Sequence, residues 1–313
     1  MLALVKQAAC PSGAPDKEAS MHRSRTVKRK GIGRRFAGMA TALLLVPLVG
    51  AAVAEDRRPV AGWEGRTGPL PPGAIVIPDK QNYFQGSYMA FASPWAAMFD
   101  TRLKAGEHFR DEIVVQPATF PDGTTIRTRW PVARPEKSGV WGYHFVAYGH
   151  YDGKDPPPGA IPPKQVRDIA EFRQSFRFSY RYSPNFNLLN EFYLTRLPGD
   201  MTDKLFEIGF FLHVPPVTMD FIRAVGVDEG DYTDSEGRHW GISRHEKFIR
   251  IYPKDGRDVR EGTIDVREFL KALVARKVIT GQEWFNGIAF GTEPVAGAGQ
   301  TEIDIHRWKV DFR

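Results

Sequence analysis

Cysteine is nearly absent from this 313-residue chain: Cys10 stands alone. It lies in a segment that reads as a leader, so the remainder has no thiol and no disulfide, which excludes thiol catalysis and cysteine-based metal sites. Histidine is sparse as well, and its eight copies form no HxH or HExxH pair of the kind that holds a metal. The acidic run VDEGDYTDSEG lacks the ligand spacing and closing glutamate of an EF-hand, and reads as a solvated hairpin. An excess of one charge is also missing. Of 43 Lys and Arg and 37 Asp and Glu, the first 54 residues hold nine and two, leaving 34 and 35 for the rest. The high pI therefore belongs to the leader, and nothing in the charge asks for a nucleic-acid partner. No internal repeat is present, so a propeller or solenoid is not expected.

What the chain does have begins with that leader. Basic TVKRKGIGRRF is followed by apolar AGMATALLLVPLVGAAVA and by the small residues Ala52 and Ala54. This is the order of a secretory signal, with cleavage expected after Ala54 and a secreted or periplasmic product that leaves the membrane. An uncleaved anchor is the alternative, although Pro47 and Gly50 interrupt a short run. Arg34-Arg35-Phe36 leaves a twin-arginine route open, and Met21 is a second candidate start. Residues 55–78 are rich in Pro and Gly and read as an arm or linker, ahead of a single domain over 79–313.

That domain reads as short strands with turns between them. Glu112 to Gln116 is β-branched, Asp122-Gly123 marks a hairpin before TTIRTRW, and WGYHFVAYG runs into the proline loop DPPPGAIPP. The pattern predicts an all-β sandwich or barrel. A helix is expected over Val266 to Lys277, where Asp265 precedes an apolar face of Val266, Phe269, Leu270, Leu273 and Val274.

Two strands each carry one carboxylate. In Ile288 to Glu293, alternation places Ala289, Gly291 and Glu293 on one face, with little bulk beside the acid. In KLFEIGFFLHVPP it places Leu205, Glu207, Gly209 and Phe211 on one face and Phe206, Ile208, Phe210 and Leu212 on the other. Glycine leaves room for a sugar ring on such a face, and an aromatic gives it a surface to stack on.

Glu207-Ile208-Gly209-Phe210-Phe211-Leu212 resembles the nucleophile strand of glycoside hydrolase family 12, the endoglucanase and xyloglucanase family, whose pattern is Glu, aliphatic, Met, aliphatic, Trp, Leu. FGTEPVAGAG is similar to the same family's acid/base strand, and the order and long separation of the two agree with it. Tyr143 to Gly149 resembles a family strand ending in Tyr-Gly, with His144 in place of the usual proline. Glu191, in NFNLLNEFYLT, falls where the family has an aspartate that hydrogen-bonds the nucleophile. The resemblance covers roughly Trp141 to the end.

It implies a jelly-roll β-sandwich of two curved antiparallel sheets with one packed helix. It implies an exported, monomeric, cofactor-free endo-acting hydrolase of β-1,4-glucan polysaccharide, with Glu207 as nucleophile, Glu293 as acid and then base, and Glu191 sharing a hydrogen bond with Glu207. Glu207 is expected ionised and Glu293 protonated. Phe211, Gly209, Trp141 and Tyr143 are the candidate substrate contacts, with Tyr83, Phe84 and Trp95 as candidates for a further subsite. Gly209 in place of Met and Phe211 in place of Trp predict weaker stacking and a wider groove. A carbohydrate-binding sandwich without turnover, or a structural domain of the cell envelope, are the alternatives.

Overall fold

The computed structural model describes residues 63, 70–95, 102–135, 139–153 and 156–313. The leader, its cleavage site and most of the arm lie outside the described residues.

Sixteen strands and two α-helices follow in order along the described chain. The first five strands are β1 (Ile75–Pro78), β2 (Asn82–Gln85), β3 (Tyr88–Phe91), β4 (Arg110–Val115) and β5 (Thr124–Trp130). Then come β6 (His144–Gly149), β7 (Lys164–Gln165), β8 (Phe172–Tyr182), β9 (Phe186–Thr195) and β10 (Lys204–His213). Helix α1 (Pro216–Val225) leads to β11 (Val227–Thr233), β12 (His239–His245), β13 (Phe248–Pro253) and β14 (Glu261–Asp265). Helix α2 (Val266–Ala275), β15 (Trp284–Pro294) and β16 (Gly299–Phe312) complete the chain.

One sheet has the order β1-β4-β5-β16-β8-β14, and the other β11-β12-β13-β10-β9-β15-β6-β3-β2, with β7 on β15. Pairing is antiparallel except between β10 and β13. The arm therefore ends earlier than its composition implies, because Ile75–Pro78 pairs with β4 as an edge strand.

Alternation sorts the side chains of the larger sheet into two sets. Phe186, Leu188, Phe192 and Leu194 of β9, Ile208, Phe210 and Leu212 of β10, and Ile288 and Phe290 of β15 join the core between the sheets. Leu189, Tyr193, Phe211 and Ala289 belong to a second cluster on the outer face of the same strands. Burial of large apolar side chains, at roughly 1.5–3 kcal/mol each, fixes which face each residue takes.

Helix α2 forms as expected: the Asp265 carboxylate accepts from the Glu268 N–H at 3.1 Å, a cap worth about 1 kcal/mol. Its Phe269 ring meets Phe210 edge-on at 4.8 Å between centroids. Helix α1 is a correction to the expectation of a single helix. Pro216 opens it at the first turn and Ile222 is its one buried residue, while Val217 and Phe221 stay exposed. A double proline after a strand reads as a stop, yet proline's fixed φ also suits the start of a helix. Among the described residues no helix is long and apolar enough to cross a membrane.

Candidate active site

Strands β10, β9 and β15 lie side by side, with β9 in the middle. Their register sets Glu207 opposite Tyr193, Gly209 opposite Glu191, and Phe211 opposite Leu189. On the other flank, Ala289 faces Glu191, Gly291 faces Leu189, and Glu293 faces Asn187. All three candidate glutamates thus take the outer face that alternation assigns them. Glu207 and Glu293 approach from opposite flanks of β9, and both line one cleft of about 810 Å³, together with Asn187, Tyr193, Phe211 and Arg250.

The acids are held differently. Glu293 is 6 % exposed and accepts a hydrogen bond from Asn187 Nδ2 at 2.9 Å. Burial and the Glu191 charge push its pKa up to about 8 against the pull of Asn187 and Arg250. Glu207 is half-buried and is raised well above the usual carboxylate range by burial, then by Glu191 and Glu293, against Arg250 and Lys204. Glu191 is buried and is lifted to about 7 by burial, opposed by the hydrogen bond from Tyr151 and by the nearby Tyr193 hydroxyl. Three carboxyls in one desolvated patch cannot all ionise cheaply, so the group retains protons at neutral pH. The expected division, Glu207 charged and Glu293 neutral, differs from this structure, in which the surroundings raise both.

Glu191 does not make the expected bond to Glu207. Its Oε1 accepts from the Tyr151 hydroxyl instead, and its Oε2 has no partner among the described residues. The register explains this: Glu191 stands opposite Gly209, two residues beyond Glu207. Tyr151, whose ring stacks on Tyr193 at 5.3 Å, covers it.

Gly209 does not widen the groove. A Cβ there would lie 3.0 Å from Phe248 Cε2 and 3.1 Å from Leu189 Cδ1, so neighbours already fill the space left by the missing side chain. Phe211 lines the cleft but is 1 % exposed and packs in the outer-face cluster, so it offers a sugar little more than an edge. Tyr143 is buried too, with its hydroxyl donating to the Leu189 carbonyl at 3.3 Å and its ring against Gly291. Trp141 sits elsewhere: it stacks on Trp130 at 5.1 Å in a separate cluster. Its backbone still serves the site, because its N–H donates to the Pro294 carbonyl at 2.8 Å and its carbonyl accepts from Trp95. Trp95 lines the cleft. Tyr83 packs edge-on against Phe120 instead, and Phe84 is exposed. His213 is a strand-end residue hydrogen-bonded to Asp258 and Pro184.

Asn187, Tyr151, Phe248 and Arg250 escape the sequence reading. Asn187 was within reach, since it shares the parity of Glu191 four residues on. Arg250 alternates with Phe248 against Ile249 and Ile251, which in sequence is the pattern of any solvated strand face. Among the described residues no group of three or more His, Cys, Asp or Glu is placed to hold a metal ion.

No protein-family model matches the sequence, and no curated protein matches it. Solved structures do. Endoglucanase 3 of Trichoderma harzianum, from family GH12, aligns with 78 % of this chain and 100 % of its own at 15 % identity and a TM-score of 0.59. The family 12 xyloglucanase of Bacillus licheniformis aligns with 77 % of this chain and 100 % of its own at 15 % identity and a TM-score of 0.56. An endoglucanase of Rhodothermus marinus aligns with 76 % and 100 %, at 14 % identity and a TM-score of 0.57. The chain has the jelly-roll fold of the family 12 glycoside hydrolases.

Proposed function

We propose that this protein is an exported, monomeric, endo-acting glycoside hydrolase that cleaves β-1,4-glucan with retention and needs no cofactor. The observation that carries the reading is that Glu207 and Glu293, 86 residues apart in sequence, reach the same cleft from the two flanks of β9. In the form in which Glu207 is the ionised member of the three acids, its oxygen attacks the anomeric carbon while Glu293 gives its proton to the departing glycosidic oxygen. Glu293, now ionised, takes a proton from the water that releases the sugar from Glu207. Its raised pKa suits the first step, and the Asn187 hydrogen bond orients it for both. Glu191, with Tyr151 behind it, competes with the other two for the shared protons and so biases their ionisation.

A binding-only sandwich would rely on aromatic platforms in the cleft; Phe211 and Tyr143 are buried, which leaves Trp95 and Phe221 of its lining for that role, so turnover is what separates the two readings. The test is release of reducing ends from xyloglucan, mixed-linkage glucan and a soluble cellulose derivative by the mature chain and by Glu207→Gln. Release by wild type alone, with a β-configured first product, supports the proposal. No release by wild type, or an α-configured first product, overturns it.

A further inference from the structure

Arg250 has no part in the acid–base steps above, yet it is among the most constrained side chains of the cleft. It stands on β13 opposite Gly209 of β10 and is 8 % exposed. Its guanidinium lies 4.2 Å from the Phe248 ring centroid and 5.5 Å from that of Phe221 on α1, held between two aromatic faces. Nη1 is sealed from solvent and has no hydrogen-bond partner among the described residues, out of reach of anything in the cleft, while what remains open of the side chain lines the cleft. A guanidinium this desolvated is costly to keep charged unless an acceptor meets the edge that it leaves open to the cleft.

The cleft acids do not supply it. Their charges act on it and its charge acts on Glu207 and Glu293, yet among the described residues no ion pair joins it to any of them. Lys204, the other cation that acts on Glu207, is engaged with Asp152 at 2.7 Å. A second arginine, Arg134, lines the same cleft on an exposed side chain. Two guanidinium groups on one cleft favour an anionic ligand there, because arginine's planar fork matches a carboxylate.

We propose that Arg250 and Arg134 form an anion subsite, and that the natural substrate is a β-glucan bearing carboxylate groups on its sugars. This rests on the glucanase reading and adds the chemical class of the substrate.

The test uses one soluble β-1,4-glucan before and after oxidation of a fraction of its C6 hydroxymethyl groups to carboxylates. Wild type is expected to show about ten- to a hundredfold higher kcat/KM on the oxidised polymer, the range of one charge-assisted hydrogen bond, chiefly through KM and weakened by salt. Arg250→Met is expected to bring the ratio near one. Arg134→Met should lower it in part, and because its side chain is exposed it keeps the test open should Arg250→Met not fold. Equal rates on both polymers, or a ratio unmoved by either variant, overturn the proposal. So does an Arg250→Met chain that loses both activities equally with a shifted pH profile, since Arg250 then serves the acids. If neither polymer is cut, the glucanase reading fails separately. Calorimetric titration of Glu207→Gln with neutral and carboxylated cello-oligosaccharides then decides: tighter binding of the acidic one supports the subsite and equal binding removes it.

Discussion

Replacing Glu293 by Gln should make the fold more stable at alkaline pH while stopping catalysis. Glu293 titrates at 4.5 when unperturbed and at about 8 in the folded chain. Below pH 4.5 it is protonated in both states and contributes nothing to their difference. Between pH 4.5 and 8 the folded state keeps a proton that the unfolded state releases, so stability falls as pH rises and the full cost is reached above about 8. At about 1.36 kcal/mol per pKa unit this amounts to about 3 kcal/mol at pH 7 and about 4 kcal/mol at pH 8, approaching about 5 kcal/mol above it. Because Glu191 contributes to the rise and itself retains protons, about 2–4 kcal/mol is the expected gain at pH 8 for Glu293→Gln. The amide keeps an oxygen to accept from Asn187, so the hydrogen bond survives the change.

For a domain of this size each kcal/mol moves Tm by about 2–4 °C, so the variant should melt at least about 4 °C above wild type at pH 8. That gap should close toward pH 4.5. Urea unfolding at several pH values measures it directly. A Glu293→Gln chain no more stable than wild type at pH 8 refutes the reasoning, and an equal gain at pH 4.5 and pH 8 assigns the effect to packing instead. Active sites commonly carry such stored cost.

Three further outcomes are expected. Activity on glucan should fall as pH rises through about 8, where Glu293 loses its proton, whereas an aryl glycoside with a good leaving group should show a much weaker alkaline decline. Tyr151→Phe removes the donor to Glu191 Oε1; the hydrogen bond favours the charged carboxylate, so the loss, about 1.5–3 kcal/mol, should be larger in urea melts at pH 8 than at pH 5. Gly291→Ala puts a Cβ 2.5 Å from both the His144 carbonyl oxygen and Phe145 Cβ, and should lower the urea midpoint by the equivalent of about 1–3 kcal/mol or more, with activity lost alongside because Glu293 is two residues on.

Parity along the strands was legible in the sequence because one face of each must be apolar. Phe206, Ile208, Phe210 and Leu212 leave Glu207 no choice of side, and Ile288 and Phe290 do the same for Glu293. Helix α2 was legible for a similar reason, with Asp265 and a regular apolar stripe. What stayed hidden depends on contacts between segments distant in sequence. Nothing in the GFF triplet says that Phe248, from another strand, will fill the space above Gly209, nor that Tyr151 will claim Glu191. Trp141 has the composition of a sugar platform, but its partner Trp130 is set by where β5 runs. Helix α1 was obscured by Pro215 and Pro216, which read equally as a strand stop and a helix start.

The same parity makes the site dependent on register rather than on local sequence. A slip of one residue between β9 and β10 would bring Glu207 toward the sandwich core and Phe206 or Ile208 toward the cleft, and the cost of burying that charge without a partner opposes it. β10 has irregular register between Lys204 and Phe206 and between Phe211 and His213, so the regular run from Phe206 to Phe211 is the segment that holds Glu207, Gly209 and Phe211 in phase with Tyr193, Glu191 and Leu189. On the other flank, the irregularity of β15 falls between Phe285 and Ile288, before Glu293. Both acids therefore sit in uninterrupted ladder, and apolar substitutions on their core-facing neighbours, Ile208 and Phe290, act on the cleft through strand phase even though neither side chain reaches it.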